Sequence, residues 1–151
     1  MNRSGRIQIL LVEDNPDDAE LAIRALSEAG IANDIHVADD GAKALDFLFC
    51  EGAYSDRNPM EPPQVVLLDI KLPKIDGVEV LARIRADPRT RLLPVVLLTS
   101  SQEQSDIAKS YERGANAYIV KPIDFKQFSE AIKNIGYFWL VLNHPPPVVD
   151  A

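Results

Sequence analysis

The sequence predicts an α/β domain built on an open, doubly wound sheet of five parallel strands in the order 2-1-3-4-5. Five short apolar runs recur along the chain, and four of them are continuous, as in strands buried on both faces of a parallel sheet. Helix-periodic segments lie between the runs, and strictly alternating strands and helices with right-handed crossovers favour an open sheet. A closed barrel needs more such units than this chain offers. The runs are Ile7–Val12, Ile35–Ala38, Val65–Leu68, Val95–Leu98 and Ala117–Val120.

The first three helices are predicted from capping residues and apolar stripes. The first begins with Asn15 as N-cap and Pro16 at its first position, followed by two acids that complement the positive helix end. The second follows Asp40, and the third follows Asp76 and ends before Pro88. The apolar stripes consist of Ala22, Ala25, Leu26 and Ala29 in the first helix, Leu45, Leu48 and Phe49 in the second, and Val78, Leu81 and Ile84 in the third.

Two further helices complete the alternation. The fourth starts near a capping-box pattern at residues 100–103 and ends at Gly114. The fifth is the longest and runs from Asp124 to about Leu142. We therefore expect ten alternating elements, five strands and five helices, in one domain over residues 1–142.

Two segments fall outside the alternation. Residues 51–64 are rich in proline and polar residues and are predicted to form a long surface loop. Residues 143–151 contain three consecutive prolines and are predicted to form an extended, proline-rich tail.

Composition limits the classes of function. The chain has 151 residues, of which 46% are hydrophobic and 26% charged, as in a folded domain. The net charge is −7 and no segment clusters Lys and Arg, so a nucleic acid is not an expected partner. No apolar run approaches a membrane span and the first residues lack the core of a secretory signal, so we expect a cytoplasmic protein without a membrane partner. The single cysteine, Cys50, is expected to be a buried small hydrophobe.

Polar residues stand at the ends of four predicted strands. Strand 1 ends in Glu13 and Asp14, strand 3 in Asp69 and strand 4 in Thr99, and strand 5 leads into Lys121. In such sheets, ligands bind beyond the carboxyl ends of the strands, beside the point where the strand order reverses. Because strands 1 and 3 are neighbours, we expect the three carboxylates to converge in one pocket, with Thr99 and Lys121 on its far wall.

The converging acids predict a metal site. Three carboxylates at close range repel one another unless protons or a cation neutralise them. Mg²⁺ suits this case, because it keeps several waters and binds one or two carboxylates together with phosphate oxygens. We expect Asp14 and Asp69 to be direct ligands, Glu13 to act through water, and the backbone carbonyl of Lys71 to be a further ligand.

The same pocket predicts phosphoryl chemistry. An aspartate can attack a phosphoryl group, and a metal and an ammonium can spread the charge of the transition state. Asp69 is the expected nucleophile, while Lys121 would pair with one phosphoryl oxygen and the Thr99 hydroxyl with another. Each residue alone is common in turns and caps, but their joint placement at four strand ends favours a functional site.

Further matches along the chain point to one family. Asp69 and Thr99 lie thirty residues apart, and Thr99 and Lys121 lie twenty-two residues apart. The full set of matching residues is Glu13, Asp14, Asp69, Pro73, Gly77, Thr99, Tyr118, Lys121 and Pro122. This set resembles that of the response-regulator receiver domain of bacterial two-component systems, and the resemblance covers almost the whole chain.

The resemblance implies a fold and a function. It implies a flavodoxin-like (βα)5 fold, phosphorylation of Asp69 by a histidine kinase in a phosphorelay, Mg²⁺ as the cofactor, and a cis peptide bond between Lys121 and Pro122. It also implies a switch, in which the phosphoryl group draws Thr99 inward and Tyr118 swings into the vacated space. An aromatic residue packed on a strand without switching is the alternative for Tyr118. Asp18 is a further candidate that would steer the cation or the kinase, but a solvated acid at the start of the first helix is the favoured interpretation.

The loop at 51–64 and the chain end narrow the resemblance to single-domain regulators paired with bacterial and cyanobacterial phytochromes. Because only nine residues follow Leu142, we expect a stand-alone regulator whose partner is a histidine kinase, with a phytochrome-type kinase as one candidate. The apolar run at 137–142 is predicted to form a homodimer contact. Alternatively, the tail folds back over this run within one monomer. The predicted contact residues are Tyr137, Phe138, Trp139 and Leu142.

Three other functions share parts of this pattern. A flavodoxin-type electron carrier must hold a phosphate after strand 1, where the acids at 13–18 would repel it. A phosphohydrolase with an aspartyl nucleophile needs a second acid two residues later, where this chain has Lys71. The complete acidic pocket argues against a module that binds partners without phosphorylation. We therefore expect a phosphoacceptor switch, limited to its own phosphorylation and dephosphorylation, rather than an enzyme.

Overall fold

The sheet has the predicted topology. The computed structural model describes residues 7–28, 33–99, 114–121 and 126. Within these residues, one sheet has the strand order β2-β1-β3-β4-β5, and all neighbouring strands are parallel. The strands are β1 (Ile7–Val12), β2 (Asn33–Ala38), β3 (Val65–Asp69), β4 (Val95–Thr99) and β5 (Ala117–Val120). The predicted fold class is confirmed.

Strands β3 and β4 extend beyond the carboxyl ends of their apolar runs. Asp69 pairs with Leu98, and Thr99 pairs with Val120, so both polar residues end their strands as predicted. The amide of Ile70 continues the ladder by donating to the carbonyl of Leu98 at 3.0 Å. Both side chains are consequently held by strand backbone and buried.

Three helices in the described part of the chain cover the sheet, and side chains cap all three. They are α1 (Pro16–Glu28), α2 (Gly41–Phe49) and α3 (Gly77–Ala86). The Asn15 side chain accepts from the amides of Asp17 and Asp18 at 2.9 and 3.2 Å. Asp40 and Asp76 accept from the third helical residue of α2 and α3 at 2.7 and 3.0 Å. The predicted N-cap at Asn15 and the predicted helix starts after Asp40 and Asp76 are therefore confirmed.

Apolar side chains fill both faces of the sheet, which is why the strands are continuous apolar runs. One layer packs α1 against alternate strand residues such as Ile9 and Leu11, and the other packs α2 and α3 against Leu10 and Val12. The stripes of α2 and α3 are shifted from the prediction, because Phe47 and Val80 are buried where Phe49 and Val78 are half-buried.

Arg57 stabilises the segment between α2 and β3 through contacts with backbone carbonyls and an aromatic ring. Its guanidinium donates to the Phe47 carbonyl, and to the Glu61 carbonyl at 3.2 Å, and lies 3.7 Å from the centre of the Phe47 ring. The segment also contains a 3-10 turn at Gly52–Tyr54. It is therefore more ordered than the long surface loop that its composition predicts.

Gln64, the last residue of this segment, and Cys50, which precedes it, also differ from the prediction. Gln64 is buried. Its side-chain oxygen accepts from the Gln8 amide at 2.7 Å, and its backbone amide donates to the Gln8 carbonyl at 2.8 Å. Cys50 is half-buried and ends α2 in the left-handed region with φ 56°, so the expectation of a buried hydrophobe was wrong.

The β3–α3 turn packs against the start of α2. The Gly41 amide donates to the Pro73 carbonyl at 3.4 Å, and a Cβ on Gly41 would lie 1.9 Å from the carbonyl oxygen of Ile75. Lys74, at φ 66°, reaches Asp40 at 3.4 Å. The turn that follows Asp69 is thus held by a second element of the fold.

Several predicted features lie outside the described residues. They are the fourth and fifth helices, Pro122 with the predicted cis peptide bond, the apolar run with Tyr137, Phe138, Trp139 and Leu142, and the tail at 143–151. The domain boundary at residue 142 stays a prediction. No helix in the described part of the chain has both the length and the apolar character needed to cross a bilayer.

We expect Gly41→Ala to destabilise the fold by about 3 kcal/mol, because the added methyl group meets backbone and the β3–α3 turn must move. Urea unfolding measures the loss. Ala42→Gly, one residue further along α2, is the control and is expected to cost about 1 kcal/mol through helix propensity alone. Equal losses in the two variants would contradict a close contact at Gly41.

His36 predicts a pH-dependent contribution to stability. Its ring stacks on Phe47 at 4.3 Å and its Nε2 lies 3.1 Å from the Tyr54 hydroxyl. Burial, together with the positive charge of Arg57, lowers the pKa of His36 below 6.5. Because the pKa of His36 is lower in the folded than in the unfolded protein, the neutral ring contributes stability at pH values above the unfolded pKa. This contribution is lost as the pH falls below about 6.5.

We therefore expect the stability advantage of the wild type over His36→Phe to be smaller at pH 5.5 than at pH 7.5, since phenylalanine stacks but does not titrate. Urea midpoints at the two pH values measure this. Tyr54→Phe, which keeps the histidine, should retain the pH dependence. An advantage that does not change with pH would show that His36 protonation has no effect on folding.

Candidate functional site

Three carboxylates meet at the carboxyl edge of the sheet. Glu13 and Asp14 follow β1, and Asp69 ends the neighbouring strand β3. One oxygen from each lies within 4.8 Å of the others. Glu13 is 2% exposed and Asp69 5% exposed, whereas Asp14 is exposed. The structure thus brings together the three acids that the sequence placed in one pocket.

Backbone contacts hold the two buried acids in place. The Glu13 amide donates to the Ala38 carbonyl at 3.0 Å, and its Oε2 accepts from the Asn15 amide at 3.2 Å. The Asp69 Oδ1 accepts from the Lys71 amide at 3.2 Å. A Cβ on Gly77 would lie 2.1 Å from the Asp69 carbonyl oxygen, so α3 begins directly against the strand end.

The ammonium group of Lys121 lies among carboxylates. Its Nζ is 2.8 Å from Glu13 Oε1, 2.9 Å from Asp69 Oδ2 and 3.1 Å from Asp18 Oδ2. The Lys121 amide donates to the Thr99 carbonyl at 2.8 Å, which fixes the backbone next to β4. Residues from β1, α1, β3 and β5 therefore contribute to one cluster.

Burial and charge shift two ionisations in this cluster. Burial raises the pKa of Glu13 to about 7, and Asp69 adds to the increase while the Lys121 ammonium opposes it. Burial opposes the charged form of Lys121, but the carboxylates of Glu13 and Asp69 outweigh it and raise the pKa of Lys121. The lysine is therefore positively charged throughout the physiological range, whereas burial opposes the charged form of Glu13.

The cluster fits a divalent cation. Its three convergent donors are all carboxylate oxygens, the ligand type that hard cations prefer. Glu13 Oε1 is buried and, among the described residues, has no partner in hydrogen-bond geometry, although Lys121 Nζ lies 2.8 Å away. A cation bound here would therefore compete with the Lys121 ammonium for this oxygen. The Lys71 backbone reaches the site through its amide, and the ligand role of its carbonyl stays a prediction.

Thr99 and Tyr118 lie on the two adjacent strands at the far side of the site. Thr99 ends β4 and is fully buried, whereas Tyr118 on β5 is 42% exposed. The register pairs Tyr118 with Leu97 and Thr99 with Val120, so the tyrosine lies two residues before the strand end. Their switching role stays a prediction.

Asp18 contacts the site, whereas the sequence favoured a solvated acid at the helix start over a role in steering the cation or the kinase. It lies in the first turn of α1 and contacts Lys121, 103 residues away. A signal was present. Asp18 lies four residues before Ala22 and seven before Ala25, so it occupies the stripe of α1 that faces the sheet.

The chain matches known proteins over most of its length. The model of the family described as the response regulator receiver domain matches residues 9–133. Response regulator Rcp1 of Synechocystis sp. is 39% identical over 132 residues, which cover 87% of this chain and 88% of that protein.

Solved structures agree with the sequence comparison. The bacteriophytochrome response regulator RtBRR is 53% identical with a TM-score of 0.83, over 94% of this chain and 85% of that chain. The phosphorylated cyanobacterial phytochrome response regulator RcpA is 38% identical with a TM-score of 0.77, over 93% of this chain and 99% of that chain. The Mn²⁺-bound form of Rcp1 is 36% identical with a TM-score of 0.76, over 93% and 99%.

We expect Mg²⁺ to stabilise the wild-type protein and not Asp14→Asn. Ligand binding to the folded state contributes about 2.7 kcal/mol at roughly 100 times Kd. Without Mg²⁺, the variant should be at least as stable as the wild type, because one repelling charge is gone. Urea unfolding with and without Mg²⁺ measures both effects. Asp17→Asn, an exposed acid nearby, should keep the Mg²⁺ response, and an unchanged response in Asp14→Asn would contradict the metal site.

Proposed function

Because this chain belongs to the response regulator receiver family, we propose that it is a phosphorylation-dependent switch whose phosphoacceptor is Asp69. The phosphoryl donor is a histidine kinase in a two-component phosphorelay. The observation that carries the proposal is the position of Asp69, which ends a buried strand between two further carboxylates and the Lys121 ammonium.

The site favours attack by the Asp69 carboxylate. An oxygen of Asp69 forms a bond to phosphorus, while the phosphorus–nitrogen bond of the donor phosphohistidine breaks and its electron pair returns to the imidazole. Strand pairing and the Lys71 amide restrict the Asp69 carboxylate before reaction, which lowers the entropy cost of reaching the transition state.

Lys121 and Thr99 bind the phosphoryl oxygens in this proposal. The Lys121 Nζ already lies 2.9 Å from the attacking carboxylate and can pair with an oxygen of the incoming group. The Thr99 hydroxyl belongs to the next strand and can donate to another oxygen. Tyr118 then responds to the movement of Thr99, which changes the surface around β5.

Glu13, Asp14 and Asp69, with the backbone carbonyl of Lys71, would hold Mg²⁺ in the proposed site. The bound cation would neutralise negative charge on the carboxylates and the phosphoryl oxygens. Support comes from the convergent carboxylates and from Rcp1, for which a Mn²⁺-bound form has been crystallised.

The proposal extends to partners and location. Similarity to RtBRR and RcpA favours a phytochrome-type kinase as the donor. We place the homodimer contact at residues 137–142 and propose neither a nucleic-acid nor a membrane partner. We also propose a cytoplasmic location, because the proposed donor kinase obtains its phosphoryl group from ATP. The chemistry is limited to phosphorylation and dephosphorylation of Asp69.

We expect the purified protein, incubated with Mg²⁺ and phosphoramidate, to gain one phosphoryl group by intact mass. Asp69→Asn should gain none, since an amide is a poor nucleophile. Asp56→Asn, an exposed acid in the segment between α2 and β3, is the matched control and should react like the wild type. Labelling of Asp69→Asn would show that Asp69 is not the phosphoacceptor. No labelling of the wild type, where another receiver reacts, would indicate a binding module that is not phosphorylated.

A further inference from the structure

Asp18 lies at the entrance to the site and is anchored by the cap of α1. Its amide donates to the Asn15 side chain at 3.2 Å, and its side chain is 26% exposed. Its Oδ2 is 3.1 Å from Lys121 Nζ. The contact joins the first turn of α1 to the residue after β5, which lies 103 residues further along the chain.

The three carboxylates around Lys121 are not equivalent. Glu13 and Asp69 belong to the group of acids that converge within 4.8 Å, and Asp18 does not. A divalent cation in that group would compete with the Lys121 ammonium for Glu13 and Asp69. It would not compete for Asp18. Asp18 is therefore the partner of Lys121 that remains available when the other two bind a cation.

Two positive charges cannot share the same pair of carboxylates at low cost. The Lys121 Nζ lies within 2.9 Å of both Glu13 and Asp69, so a cation bound by these oxygens repels it. The lysine side chain is largely buried and gains from staying close to a negative charge. A third carboxylate at 3.1 Å offers that charge with a small movement of a flexible side chain.

We propose that Asp18 is a positioning residue, which holds the Lys121 ammonium when a divalent cation occupies Glu13 and Asp69. The inference rests on the proposed function, since it concerns the same site. Asp18 lowers the cost of displacing Lys121 and so strengthens cation binding. It also keeps the ammonium beside the phosphoryl position without direct contact between Asp18 and the reacting atoms.

Asp17 provides a matched control for the charge of Asp18. Both residues lie in the first turn of α1, and the Asn15 side chain accepts from both amides. Both carboxylates therefore affect the helix end similarly, but only Asp18 has an ion pair with Lys121 among the described contacts. Any effect that Asp18→Asn has beyond Asp17→Asn is due to position.

The test is a double-mutant cycle read by calorimetric titration of Mg²⁺ into unphosphorylated protein. We expect Asp18→Asn to weaken Mg²⁺ binding about five- to tenfold and Asp17→Asn less than about twofold. In a Lys121→Gln background, Asp18→Asn should weaken binding by no more than about twofold, because the group it positions is gone. Asp18→Glu, which keeps the carboxylate, should bind Mg²⁺ within about twofold of the wild type.

Other results would overturn the proposal. If Asp18→Asn weakens Mg²⁺ binding equally with and without Lys121, Asp18 acts on the cation directly through its charge. If Asp18→Asn binds like the wild type, Asp18 has no role in cation binding. Absence of Mg²⁺ binding to the wild type would remove the metal site as well. The titration needs no phosphodonor, so a wild type that binds Mg²⁺ tests the role of Asp18 whether or not Asp69 is labelled.

Discussion

Negative charge concentrated at the carboxyl edge of the sheet is the constraint on which the rest of this structure depends. Glu13 and Asp69 are almost fully buried there, and Asp14 and Asp18 lie next to them. The cost of burying such charge is offset by the Lys121 ammonium and by backbone amides that donate to the carboxylates. The sheet beneath, apolar on both faces, supplies the stability that allows this edge to remain electrostatically unfavourable.

The residues around Asp69 restrict its freedom from several directions. Pairing with β4 fixes the strand end, and Gly77 brings α3 against the Asp69 carbonyl. The turn after Asp69 rests on the start of α2 at Gly41, and Lys74 reaches the buried Asp40. A nucleophile held in this way does not need to be ordered by its substrate, so binding energy is available for the transfer itself.

Much of this arrangement could be predicted from local sequence. The strand order, the N-cap at Asn15, the helix starts after Asp40 and Asp76, and the meeting of Glu13, Asp14 and Asp69 all follow from patterns within a few residues and one rule of topology. Contacts between distant side chains could not be predicted in the same way. The Asp18–Lys121 pair depends on where the first turn of α1 lies relative to the end of β5, and periodicity alone does not distinguish an acid at the border of an apolar stripe from a solvated one.

The segment after α2 shows the same limit. Its prolines and polar residues indicate a loop, but the order that Arg57 imposes comes from donors that reach main-chain oxygens. Main-chain oxygens are present whatever residue occupies a position. Substitution of Glu61 therefore leaves its carbonyl for Arg57, whereas no other residue type offers the planar set of donors that Arg57 provides. We therefore expect the exposed positions of this segment to tolerate many substitutions and Arg57 to tolerate few. The backbone path can then stay the same while most of the side chains change.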